Sequence, residues 1–241
     1  MVNAIEKCVV LVPVYREIEP ETRESLDMIA AKGYVVRTMT GSAMIDFARS
    51  TMATKAVDDG FAETLWIDSD MVFTPEDVER IRSHANPIVA GLYVKKGREE
   101  IVGKFRVGHS DIVLGKGGGL YPMDLLGMGF TLVRAGVYKT IESKCKLPRC
   151  RGGYDPKETV VPFFLPMVVN DGHGHGYYSE DYAFCHRAKT AGFSLMADTS
   201  IKLGHVHRKT RTWDDMMPAV EHERLEIQVD VTVADTVKIA S

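Results

Sequence analysis

The 241-residue chain is 45% hydrophobic and 26% charged, with a net charge of −3 and a pI near 6.2. That usage belongs to an ordinary folded domain rather than a disordered chain, and its slightly acidic balance argues against a general polyanion-coating protein. The length suits one large α/β domain, or a domain with an appendage. No apolar run approaches the roughly 18–20 residues a membrane span needs. Met1–Lys7 also lacks the basic, apolar and cleavage segments of a signal peptide, so a cytoplasmic location is expected. Cys8, Cys145, Cys150 and Cys185 show no Cys-x-x-Cys spacing and read as reduced thiols.

Taken in chain order, short apolar runs alternate with helical patterns. Cys8–Tyr15 is a continuous β-branched run, as expected of a strand buried on both faces. A helix is predicted over Glu21–Lys32, ended by Gly33, and a strand over Tyr34–Thr38. Ala43–Asp58 carries Ile45, Ala48, Met52 and Ala56 at helical spacing. Thr64–Ile67 is the third strand and runs into Asp68-Ser69-Asp70. Thr74-Pro75-Glu76-Asp77 starts a helix reaching about His84, and Pro87–Tyr93 is a fourth strand. This alternation predicts a mainly parallel, doubly wound sheet flanked by helices.

Beyond that point the pattern changes. Ile101–Val107 and Ile112–Leu114 are expected to pair as a hairpin in a smaller mixed-strand portion, with a flexible turn over Gly115–Gly119. Thr131–Val133 and a helix over Ala135–Lys144 resume the core. Leu147–Gly176 is rich in glycine and proline and reads as a long loop of the kind that forms lids or binding elements. A helix over Glu180–Ala191 and a strand over Phe193–Ala197 follow. Residues 1–208 are expected to form the main domain and 209–241 a tail packed on it or on a neighbouring subunit. The alternating stretch Ile227–Val233 would pair with the domain edge or with another subunit, the latter giving a homo-oligomer through the C-terminal strand.

The acidic turn carries the chemistry. In an open α/β sheet, ligands bind outside the carboxyl ends of the strands. Two carboxylates two residues apart at such an end project into one crevice, where one can ligate a divalent ion bridging a diphosphate and the other can reach a ribose. Hard oxygen ligands select magnesium or manganese, and the ion would neutralise charge building on a departing diphosphate. A solvated surface turn is the alternative reading of Asp-x-Asp alone. The preceding Leu65-Trp66-Ile67 and the following capped helix favour the functional one.

Leu65–Phe73 followed by Thr74–Asp77 resembles the motif of GT-A-fold glycosyltransferases, nearest to small bacterial and phage-type enzymes related to the large inverting family 2. The resemblance recurs in order from residue 8 to about 208. Pro13-Val14-Tyr15 matches the first-strand end that holds the nucleotide base, so Pro13 and Tyr15 are implied donor contacts with Asp68, Ser69 and Asp70. Ala48-Arg49 is similar to an Ala-Arg-Asn element near the nucleotide, with Ser50 in place of the asparagine. Gly127-Met128-Gly129-Phe130 resembles the small-residue segment beside the sugar, which implicates Gly127 and Gly129. Ser179-Glu180-Asp181 resembles the acidic element supplying the catalytic base, with Asp181 preferred over Glu180. Lys202–His207 resembles the late histidine segment of the metal site, implying Asp70, His205 and Asp68 as ligands, with His207 the alternative to His205.

Other groups have competing readings. Glu180 and Asp181 also suit an ordinary helix start. Lys95, Lys96, Arg98, Lys104 and Arg106 form a solvated basic face, or one that meets an anionic acceptor or the diphosphate. His173 and His175 belong to a loop over the acceptor or to a separate metal site. Tyr177 and Tyr178 are acceptor-stacking or buried residues, and Trp213, Met216 and Met217 are packing residues. The resemblance implies transfer from a nucleotide-diphosphate sugar, such as a UDP-sugar, to a hydroxyl of a glycan, lipid carrier, protein or modified nucleobase, with inversion. The rivals are a retaining transferase, a nucleotidyltransferase and a non-catalytic carbohydrate-binding protein. The second is disfavoured because Pro13–Glu17 contains no glycine to hold a triphosphate.

Overall fold

The computed structural model describes residues 7–96, 100–106, 108, 111–152, 158–170, 172, 174–207, 209–212, 224–229 and 237–239. Readings that fall on Arg98, His173, Trp213, Met216 and Met217 lie outside them. The opening apolar run forms β1 (Cys8–Val14), buried at every position. Val9 and Leu11 join a hydrophobic cluster on one face, and Val10 and Val12 join a second cluster on the other, as the two-residue alternation of a strand requires. Then come α1 (Pro20–Ala31), β2 (Val35–Thr40), α2 (Ile45–Asp58), β3 (Glu63–Ile67), the short β4 (Met71–Val72), α3 (Pro75–Ser83) and β5 (Ile88–Gly91). Thr74 and Asp77 close a reciprocal capping box at the start of α3.

The second half contributes β6 (Lys104–Phe105), β7 (Asp111–Gly115), β8 (Leu120–Leu125), β9 (Phe130–Arg134), α4 (Ala135–Lys144), β10 (Cys150–Arg151), β11 (Thr159–Val160), β12 (Met167–Asn170), β13 (His175–Tyr178), α5 (Glu180–Thr190) and β14 (Leu195–Asp198). β15 (Gly204–His207), β16 (Lys209–Arg211), β17 (Arg224–Val229) and β18 (Val237–Ile239) complete the described elements. Eight strands form one sheet in the order β2-β1-β3-β9-β5-β14-β8-β6. Six of them run one way, and only β9 and β8 run against the rest. Leu26 and Ile29 of α1 and Val78 and Ile81 of α3 pack on one face. Met52 of α2, Tyr138 of α4 and Phe184 of α5 pack on the other. This is the expected α/β class: a large mixed sheet flanked by helices, with smaller mixed-strand pieces beside it.

Two local expectations are corrected. The predicted hairpin of Ile101–Val107 with Ile112–Leu114 does not form among the described residues. β6 instead pairs with β8, and β7 pairs with β17 from the tail. Neither partner is the adjacent strand in sequence, and the amphipathic pattern of a short strand does not say which neighbour will cover it. The long loop after α4 contains two small hairpins, β10–β11 and β12–β13. The tail is tied to the domain at two places, since β16 pairs with β15 and β17 with β7. No helix among the described residues is long and apolar enough to cross a membrane.

Candidate active site

β1, β3 and β5 run in the same direction, so the segments leaving their carboxyl ends emerge at one edge of the sheet. β9 runs against them and therefore starts at that edge. The Asp68 N–H donates to the Gly129 carbonyl at 3.0 Å, which ties the acidic turn to the start of β9. The Glu19 N–H donates to the Ser69 carbonyl at 2.9 Å, which ties it to the loop after β1. Pro13 is buried at the end of β1, whereas Tyr15 is 60% exposed on that loop.

The two aspartates have different surroundings. Asp68 Oδ1 accepts from Arg49 Nη2 at 2.7 Å. Arg49 lies in α2 and is 3% exposed, with its guanidinium 5.5 Å from the centre of the Trp66 ring and its Nε 3.8 Å from Glu180 Oε1. Its Nε and Nη1 are buried without a hydrogen-bond partner. Arg49 is thus buried between the carboxylates of Asp68 and Glu180. Ser50, the departure from the family pattern, is buried and accepts from the Phe164 N–H at 3.1 Å.

Asp70 is met from two sides. Its backbone carbonyl accepts from the Val206 N–H at 2.8 Å, and β15 pairs antiparallel with β4, so His205 lands opposite Met71. His205 Nδ1 lies 2.7 Å from the Val94 carbonyl, which can only accept, so the proton sits on Nδ1. His205 Nε2 then faces Asp70 Oδ1 at 3.5 Å, and that oxygen is buried without a hydrogen-bond partner. Two acceptors facing each other need a proton or a cation between them. Lys96 Nζ forms an ion pair with the other oxygen, Oδ2. Burial works to raise the Asp70 pKa, but His205, when its Nε2 also carries a proton, and Lys96 outweigh it and hold the carboxyl below its usual range.

The acidic pair opening α5 closes the other side. Asp181 Oδ1 accepts from Ser179 Oγ at 2.7 Å and from the Tyr182 N–H at 2.8 Å, and its Oδ2 has no hydrogen-bond partner among the described residues. Burial raises the pKa of Asp181, partly offset by those two donors. Burial also raises Glu180, helped by the nearby Asp181 charge and opposed by Arg49. Arg49 thus links Asp68 on the acidic turn with the start of α5.

Of the four candidate metal ligands, Asp70 and His205 are brought together. Asp68 is turned to Arg49, and His207 is exposed further along β15. No set of three or more His, Cys, Asp or Glu side chains suited to a metal converges among the described residues. Asp70 and His205 still fit a divalent ion, because an unpartnered carboxylate oxygen faces an imidazole held in the ligating tautomer. Mg²⁺-type ions are commonly held by one or two carboxylates, with substrate phosphates completing the shell.

The glycine segment has a role that sequence reading missed. A Cβ at Gly129 would stand 2.7 Å from Tyr93 Cζ, and one at Gly127 would stand 2.5 Å from Tyr93 Oη. The Gly129 N–H donates to Tyr93 Oη at 3.0 Å. The space these glycines leave is therefore filled by the buried Tyr93, together with Val102 at Gly127, and the Tyr93 ring stands edge-on to His205 at 5.3 Å between centroids. Tyr93 and the Val94 carbonyl carry no sequence motif; their position just after β5 is the one available signal. Tyr177 is 74% exposed opposite Val168 on the β12–β13 hairpin, while Tyr178 packs against Tyr182 and His186.

The fold has a counterpart among solved structures. The chain is similar to A197 from STIV, at 15% identity and a TM-score of 0.57 over 86% of this chain and 90% of that one. This likeness concerns the fold alone. A looser match, to GalNAc-T7 with UDP, GalNAc and Mn²⁺, has 13% identity and covers 83% of this chain but 43% of that one; its TM-score of 0.45 is too low to bear on the comparison. No family model and no curated protein matches the sequence.

Proposed function

We propose that the chain is a glycosyltransferase that moves a sugar from a nucleotide-diphosphate donor, such as a UDP-sugar, to a hydroxyl acceptor with inversion. The observation that carries this reading is the buried, unpartnered Asp70 Oδ1 facing His205 Nε2, at the same sheet edge as an Arg49-linked set of Asp68, Glu180 and Asp181. Asp70 and His205 would hold manganese or magnesium, which when bound supplies positive charge to the leaving diphosphate. Tyr15 and Pro13 border the space for the base, and Ser69 the adjoining turn. Arg49 fixes Asp68 from below, so that its remaining oxygen is presented toward the ribose.

Asp181 suits the base. Its Oδ1 is occupied by Ser179 and the Tyr182 N–H, which orients Oδ2 for a proton, and burial raises its proton affinity. The acceptor oxygen bonds to the anomeric carbon as the bond from that carbon to the diphosphate oxygen breaks. The acceptor proton passes to Asp181, and nucleoside diphosphate leaves. The test is a donor screen that follows nucleoside diphosphate release with and without manganese, together with Asp70→Ala. Loss of metal-dependent turnover in the variant is expected. Unchanged turnover overturns the assignment, and release of pyrophosphate points to nucleotidyl transfer instead.

A further inference from the structure

Lys95 and Lys96 are neighbours with different partners. Val94 forms a single antiparallel bridge with Ile101, and the Lys95 N–H donates to the Glu100 carbonyl at 2.7 Å. Lys95 Nζ reaches back to Glu100 Oε2 at 2.8 Å, across its own turn. Lys96 turns the other way and places its ammonium on Asp70 Oδ2. Two residues earlier, the Val94 carbonyl fixes the His205 ring. One stretch of backbone therefore sets both the imidazole and the ammonium around a single carboxylate.

We infer that Lys96 is the resident counter-cation of Asp70 and a donor-binding residue, which makes capture of the divalent ion conditional on the donor's diphosphate. This rests on the glycosyltransferase reading above. The cation position has two protein ligands, Asp70 and His205, and a third neighbour that is itself positive. An ion arriving alone must displace Lys96 from Oδ2 or accept its repulsion. When a diphosphate is present, the displaced ammonium has an anion to pair with, and phosphate oxygens fill the coordination positions the protein leaves open. Lys96 is half-exposed, and an exposed ion pair often contributes nothing measurable to stability. The effect is therefore expected in ligand binding rather than in folding.

The experiment is isothermal titration of Mn²⁺ into the full chain and into Lys96→Met, each without nucleotide and with saturating UDP, using Lys95→Met as a control. Without UDP, Lys96→Met is expected to bind Mn²⁺ about tenfold tighter (~1.4 kcal/mol). That is modest for removing a like charge a few ångströms from the ion near a protein surface. The factor by which UDP tightens Mn²⁺ binding is expected to shrink at least tenfold in the variant and to be unchanged in Lys95→Met. Linkage requires the same factor for the effect of Mn²⁺ on UDP. Equal or weaker Mn²⁺ binding by Lys96→Met without UDP overturns the inference while leaving the transferase reading intact. Absence of UDP and Mn²⁺ binding by the unmodified chain overturns both.

Discussion

Replacing Arg49 by methionine isolates the electrostatic role of the guanidinium, because the side chains have similar volume and the site stays filled. Arg49 is 3% exposed and its Nη2 lies 2.7 Å from Asp68 Oδ1, with Glu180 Oε1 3.8 Å from Nε. For unit charges about 4 Å apart, an effective dielectric near 20 gives ~4 kcal/mol. Asp68 retains 30% of its side-chain exposure, so water offsets part of its loss, while Glu180 keeps 18%. Contact with the Trp66 face adds ~1 kcal/mol. Removing one partner of a largely buried pair strands the other charge, which costs about 3–5 kcal/mol in comparable sites. Solvent on Asp68 puts Arg49→Met at the lower end, about 3 kcal/mol by equilibrium urea unfolding. Adding Asp68→Asn should recover part of that loss, since it removes one stranded carboxylate. If Arg49→Met unfolds within about 0.5 kcal/mol of the unmodified chain, a range usual for surface changes, the buried guanidinium is not what holds the two acidic segments together.

Gly129→Ala is expected to destabilise by about 1–3 kcal/mol, because its Cβ would meet the Tyr93 ring at 2.7 Å; a smaller residue at Tyr93 should relieve part of that cost in thermal unfolding. Asp198 is fully buried; burial alone would raise its carboxyl, but Ser200, Arg80 and His84 bring it down to about 2. A depressed carboxyl contributes stability above its unfolded pKa of about 3.9 and loses it as pH falls toward 2. About 2 kcal/mol should therefore disappear between pH 4 and 2 in the unmodified chain but not in Asp198→Asn, read by urea unfolding at each pH. Asp181 must lose its proton to act as base, and burial raises its pKa, so kcat/KM should fall with decreasing pH at values above the ordinary carboxylate range. Asp181→Asn should remove that limb and lower kcat by roughly 10²–10⁴-fold while UDP binding persists.

Features set by neighbours in the chain were legible in the sequence. The β1 run, the capping box of α3 and the fall of Asp68-Ser69-Asp70 at the end of β3 follow from local pattern and turn chemistry. Features set by distant partners were not. Nothing in Leu120–Leu125 announces that it will lie between β14 and β6, and nothing in Asp111–Gly115 names the tail strand as its partner. The same division runs through the site. The resemblance implies Asp68, Asp70 and His205 as site residues, and the structure brings Asp70 and His205 together. That Arg49 turns inward, that Tyr93 fills the glycine gap and that Lys96 rather than Lys95 faces the acidic turn are outcomes of packing across the sheet.

The two aspartates of the turn are consequently not equivalent. Asp68 is bound to a partner that cannot leave, since Arg49 is buried in α2, whereas Asp70 is met by an ammonium on an exposed stem and by an imidazole with an open nitrogen. The first is suited to hold shape and the second to exchange ligands. The imidazole's position depends on very little: β15 meets β4 over two residue pairs, Gly204 with Val72 and His205 with Met71, reinforced by the Val206 N–H on the Asp70 carbonyl. A slip of one residue would put Gly204 or Val206 where His205 stands and reverse every side chain of the strand. The arrangement is thus completed at the last strand pairing to involve the acidic turn, and the backbone bond from Val206 to Asp70 is what places an imidazole nitrogen beside the Asp70 carboxylate.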